Sequence, residues 1–129
     1  MTSLGIYVIT IDSMDIRSKI WIEVNGDTVF GSGRRFLLQS IAKCGSINRA
    51  AKEIHISYRK ALSYIKAMEE RLGIKLVERR AGGKNGGGAS LTREAKAFLK
   101  KYEKLEEGIN EMLDKKFLKI FGKSRRFKQ

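Results

Sequence analysis

The sequence predicts a mostly α chain with a small β component. Two short helical patterns meet at a tight turn between Ser46 and Gly73. The period turns from helical to extended just after Gly73. An apolar stripe with steps of three and four then runs from Ala95 to Met112. With one further helical stretch ahead of them, these give three helices on short joints, a hairpin and a long helix. That is a winged helix-turn-helix with an N-terminal β-hairpin and a long C-terminal helix. The expected organisation is a strand or tail over 1–17, the winged unit over 18–91, the long helix over 92–122 and a basic tail over 123–129.

Residues 1–17 read either as a short strand or as a loose tail, and Met14 is a second candidate start. Residues 19–30, KIWIEVNGDTVF, read as a hairpin. Ile20, Ile22 and Val24 alternate with Trp21 and Glu23, and Asn25-Gly26 is the strongest short-range hairpin signal. Trp21 reads as a packing residue rather than a platform for a base.

A first helix is expected over Ser32–Lys43, with Phe36, Leu37, Ser40 and Ile41 near helical spacing and Cys44-Gly45 closing it. Ser46 caps a second helix through Ile47, Ala50, Ala51 and Ile54, and His55-Ile56 breaks the pattern. Ser57 caps a third, over about 57–72, with Ala61, Ile65, Met68 and Leu72 as its apolar side and Gly73 as its stop. Residues 74–79 and Ser90-Leu91 read as the two arms of a wing. Its Gly-rich tip spans 79–89 and carries Arg79, Arg80, Lys84 and Asn85. The glycines fit a plain flexible loop as well as a close approach to phosphates.

Thr92 caps the last helix. Ala95, Phe98, Tyr102, Leu105, Ile109 and Met112 form its stripe, widened by Leu99 and Leu113. Such a helix is marginal alone, so Phe98, Tyr102, Leu105, Ile109 and Met112 are the expected homodimer contacts, folding back being the alternative. From Lys115 to Lys128 the tail interleaves lysines and arginines with Phe117, Ile120, Phe121 and Phe127.

Composition narrows the function classes. Lys and Arg number 27 against 14 Asp and Glu, a net charge of +13, which points to nucleic acid before an anionic membrane surface. The apolar run LGIYVITI is too short for a membrane span, so none is expected. The single Cys44 allows no internal disulfide, which suits a cytoplasmic setting, and it reads as a structural thiol. One Cys and one His, His55, make no zinc set and no nucleophile-base pair, so neither metal, cofactor nor enzymatic activity is expected. The wing fits no phosphate-binding P-loop spacing.

The sharpest local signal is the start of the third helix. Tyr58, Arg59 and Lys60 fill its first turn, where each cation is disfavoured by about 0.3–1 kcal/mol against the helix dipole. A docked polyanion reverses that penalty, as when a recognition helix enters the DNA major groove by its N-terminus. A solvated basic face on a core helix is the bland alternative. Arg59, Lys60, Ser63 and Lys66 lie on the side away from the apolar positions.

The string from Gly45 to Arg79, GSINRAAKEIHISYRKALSYIKAMEERLGIKLVER, resembles the winged helix-turn-helix of LysR-type regulators. AGGKNGGGASLT, from Ala81 to Thr92, is similar to the wing of the molybdenum-responsive ModE regulators, and ISYRKALSYI also fits that group. The resemblance covers roughly residues 19–113. It implies a prokaryotic, homodimeric transcription regulator on double-stranded DNA. Ser57, Tyr58, Arg59, Lys60 and Ser63 are then the DNA-facing residues of the third helix. Ser46 and Asn48 meet a phosphate, and Arg79, Arg80, Lys84 and Asn85 lie on the wing. ModE proteins carry their molybdate site after the long helix. The chain ends near that point, so molybdate sensing is not carried over. Constitutive regulation, a sensor borrowed from a partner, and an unrelated effector all stay open. Beside a sequence-specific regulator stand an architectural DNA coater and a protein-interaction module that has lost DNA binding.

Overall fold

The computed structural model describes residues 14–81 and 88–122. In chain order these form β1 (Ile22–Val24), β2 (Asp27–Phe30), α1 (Ser32–Cys44), α2 (Ile47–Glu53), α3 (Tyr58–Leu72), β3 (Val77–Arg80), β4 (Gly88–Leu91) and α4 (Arg93–Phe121). The backbone forms two compact units. One is Lys19–Glu103, and the other joins residues 14–18 with residues 104–122.

In the Lys19–Glu103 unit, β1 and β2 pair antiparallel around Asn25-Gly26, with Val24 opposite Asp27. Both loop residues have positive φ, 54° and 85°. A two-residue turn of this hand requires that, and Asn and Gly tolerate it best. Gly45 and Gly73 end α1 and α3 in the left-handed conformation, as their sequence positions predict. His55 does the same work between α2 and α3 at φ 64°, and Ile56 N–H donates to Ala51 O across it. Among the described helix exits, the α2–α3 turn is the one where the left-handed residue carries a Cβ.

The core gathers apolar residues from every element of this unit. Phe30, Leu37, Leu38, Ile41, Met68 and Leu76 are fully buried. Phe30 sits at its centre, with the rings of Phe98 and Tyr102 edge-on at 4.9 and 4.8 Å. Tyr102 ties the segment leading into β1 to α4, since its hydroxyl donates to Ile20 O at 2.7 Å.

Three polar residues lock the frame. The Glu69 carboxylate, in the last turns of α3, accepts from the N–H groups of Leu76 and Val77 at 2.8 and 3.2 Å. The start of β3 is thereby fixed to α3. Thr92 caps α4, accepting from Ala95 N–H at 3.0 Å while donating to Lys75 O at 2.6 Å. Glu53 accepts from Ser40 and Lys43 at 2.8 and 3.1 Å, joining α2 to α1. The Ser40 hydrogen bond, then Lys43's hydrogen bond and charge, hold the Glu53 carboxyl below its usual pKa. With the folded pKa below the unfolded one, this stabilisation is complete above the unfolded value and is lost as pH falls through the folded one. Urea unfolding of Glu53→Gln is therefore expected to show a shallower loss of stability below about pH 4 than the parent chain. An identical acid limb in both would assign that loss to other carboxylates.

Three sequence expectations change. Trp21 is 50% exposed and its indole N–H donates to Glu23, because it precedes β1 on the outer side of the hairpin. Phe36 is exposed and lies under the Arg35 guanidinium, while Leu38 takes the buried place on α1. The apolar stripe of α4 is not one continuous seam. Phe98 and Tyr102 pack on Phe30, Tyr102 being 2% exposed, so both belong to the core of the Lys19–Glu103 unit and not to an open dimer face.

In the second unit, α4 continues to Phe121. Ser18 donates to Asn110 at 2.8 Å, and the rings of Phe117 and Phe121 lie 5.2 Å apart. Leu105 and Met112 remain 47% and 49% exposed, and Ile109 is half-buried.

Candidate nucleic-acid interface

The first turn of α3 is open to solvent. Tyr58 is 41% exposed, and Arg59 and Lys60 are exposed beside it. At about 3.6 residues per turn, Arg59, Ser63 and Lys66 fall opposite Ala61, Ile65 and Met68, which are buried. Ser63 and Lys66 are exposed as well. The face is polar and cationic over its leading half, and the helix's own acids, Glu69 and Glu70, stand near its trailing end.

The helix starts share a charge pattern. α1, α2 and α3 have no acid in their first turns, whereas α4 has Glu94 there. The Ser57 hydroxyl accepts from Lys60 N–H at 3.0 Å, and the Ser46 hydroxyl accepts from Arg49 N–H at 3.1 Å. Both serines therefore act first as caps, each keeping its hydroxyl hydrogen for another acceptor. Asn48 and Arg49, on the first turn of α2, are exposed.

The wing joins this face through Tyr58, whose hydroxyl accepts from Arg79 Nη2 at 3.3 Å. β3 and β4 pair antiparallel with Arg79 opposite Ala89 and Arg80 opposite Gly88. β4 is docked on the end of α1, where Ala89 N–H donates to Gly45 O at 2.9 Å. The approach is close at Gly88, where a Cβ would stand 3.2 Å from Gly45 O and against the end of the Arg80 side chain. The Arg80 side chain thus lies across the base of the wing. Lys84 and Asn85 fall outside the described residues. Between α3 and β3 opens a pocket of about 270 Å³ with Leu62, Ile65 and Val77 among its lining and Lys66, Lys75 and Arg79 at its cationic side.

The opposite edge of α3 carries a residue that the sequence reading passed over. Arg34, from the first turn of α1, lays its guanidinium on the Tyr64 ring at 4.6 Å from the centroid, and Lys60 Nζ is 5.9 Å from the same centroid. Only the i, i+4 relation of Lys60 to Tyr64 was visible in the sequence. The Arg34 contact crosses from one helix to another.

A compact helical triad, a two-stranded wing and an exposed cationic helix start define a domain of the winged helix-turn-helix class. Residues 36–96 match the model of the bacterial regulatory helix-turn-helix protein, lysR family, and the chain carries a LysR-type helix-turn-helix domain. Among relatives, it is 47% identical over 70 residues to the transcriptional regulator ModE of Haemophilus influenzae, a match covering 54% of this chain and 28% of that protein. It is 42% identical over 80 residues to the DNA-binding transcriptional dual regulator ModE of Escherichia coli K12, covering 61% and 30%. The chain thus spans about a third or less of the length of the curated relatives it matches. Among solved structures, full-length CbnR complexed with its target DNA superposes with a TM-score of 0.50 at 25% identity, covering 67% of this chain and 29% of that one. CbnR, a LysR family transcriptional regulator, gives a TM-score of 0.50 at 26% identity, with the same coverage. Among the described residues no helix is long and apolar enough to cross a membrane, and no group of side chains has a metal-site composition.

Proposed function

We propose that this chain is a sequence-specific, DNA-binding transcription regulator that works as a homodimer. α3 enters the major groove by its first turn, with Arg59, Lys60 and Ser63 toward the bases, and Arg79 and Arg80 of the wing grip the flanking backbone. The observation that carries the reading is the open, acid-free first turn of α3, with Tyr58, Arg59 and Lys60 turned away from the core. The helix dipole disfavours cations there unless an anion is bound. The relatives' names and the DNA-bound neighbour support the same class. In this reading the pairing surface lies on the later part of α4, at Leu105, Ile109 and Met112.

Selection of bound sequences from genomic DNA tests it. A homodimer is expected to select a palindrome with half-sites about 34 Å apart, one helical turn, or a multiple of that. Arg59→Ala should then weaken the best site by about 1–3 kcal/mol while leaving random DNA much less affected. An equal loss on both would make Arg59 a phosphate contact only. Preference for the selected site by less than about 10³-fold over random DNA would favour the architectural alternative.

A further inference from the structure

We propose that Arg34 is a DNA-backbone contact, placed by Tyr64 on the edge of α3 opposite the wing. The inference rests on the DNA-binding reading of α3 and adds a residue that lies on neither the recognition helix nor the wing. Arg79 marks one edge of the exposed face through Tyr58, and Arg34 marks the other through Tyr64. An α-helix about 10–12 Å across fills a major groove about 12 Å wide, so phosphates line both of its flanks. A cation on each flank therefore meets one rim each.

The side chain is suited to this contact. Stacking on Tyr64 fixes the plane of the guanidinium and restricts its rotamers before any partner arrives. Its Nε is buried without a hydrogen-bond partner, and among the described residues no carboxylate pairs with it. Lys60 shares the same aromatic ring, so two cations gather around one side chain. A phosphodiester between Arg34 and Lys60 relieves their repulsion and takes the remaining guanidinium donors.

The experiment compares the full chain with Arg34→Gln and Arg34→Lys. Each is measured on the selected site and on random DNA across a salt series, with thermal unfolding alongside. Arg34→Gln is expected to weaken both DNAs by a similar factor and to reduce the slope of log K on log salt by about 0.9 for each protomer bound. Arg34→Lys should restore the slope, because the charge is kept, and Tm should be unchanged in both. An unchanged salt slope, with or without a fall in Tm, overturns the proposal and leaves Arg34 as a clamp on Tyr64. If the parent chain itself binds no DNA, the underlying reading of α3 fails together with it. A parent chain that binds with an Arg34-independent slope sinks this inference alone.

Discussion

Replacing Phe30 by alanine is expected to lower the unfolding free energy by about 3–5 kcal/mol, a large share of what a small domain has. Phe30 is fully buried at the end of β2, and both of its aromatic partners, Phe98 and Tyr102, come from α4. Removing the ring deletes its apolar burial and both edge-to-face contacts, and the neighbouring elements are too tightly joined to collapse into the gap. Ile20 is held by the Tyr102 hydroxyl and β2 is paired to β1. The hairpin should loosen with the core, because Phe30 joins its second strand to α4. Urea denaturation reads the loss as a fall in midpoint at constant slope. A change below about 1.5 kcal/mol, the range of tolerated volume-conserving swaps, would mean that the ring is not central to the core.

The second large effect concerns salt. Arg49, Arg59, Lys60, Lys66, Arg79 and Arg80 are exposed in the Lys19–Glu103 unit, and the whole chain carries a net charge of +13. Two such faces on one duplex are expected to neutralise on the order of 6–10 phosphates. Raising salt from about 50 to about 200 mM should then weaken binding by roughly 10³–10⁵-fold. Fluorescence anisotropy over a salt series measures the slope directly. A nearly salt-independent affinity would contradict a backbone-gripping face and favour the reading in which the helix-turn-helix only contacts other proteins.

How much of the site was legible in the sequence differs from residue to residue. The exposed side of α3 was legible because a helix repeats every 3.6 residues or so, and Ala61, Ile65 and Met68 identify the buried side by elimination. The capping serines and the closing glycines were legible for the same kind of reason, since each satisfies a helix end within three or four residues of itself. Arg34 was not legible. Nothing in GSGRRF separates Arg34, which stacks on Tyr64, from Arg35, which covers Phe36.

By itself, then, the sequence determined what short-range chemistry controls. It set the three helices and their ends, the Asn25-Gly26 hairpin, the extended arms of the wing, and the unfavourable charge at the start of α3. Only the tertiary structure decided which long-range neighbours those elements acquire. It drew Phe98 and Tyr102 out of an apparent seam and into the core around Phe30. It committed Glu69 to β3 and joined Tyr58 to Arg79. The physical reason is that helical period reports which side of a segment is apolar. It does not report whether the surface that covers this side comes from the same chain or from another molecule, because that depends on contacts between residues far apart in sequence.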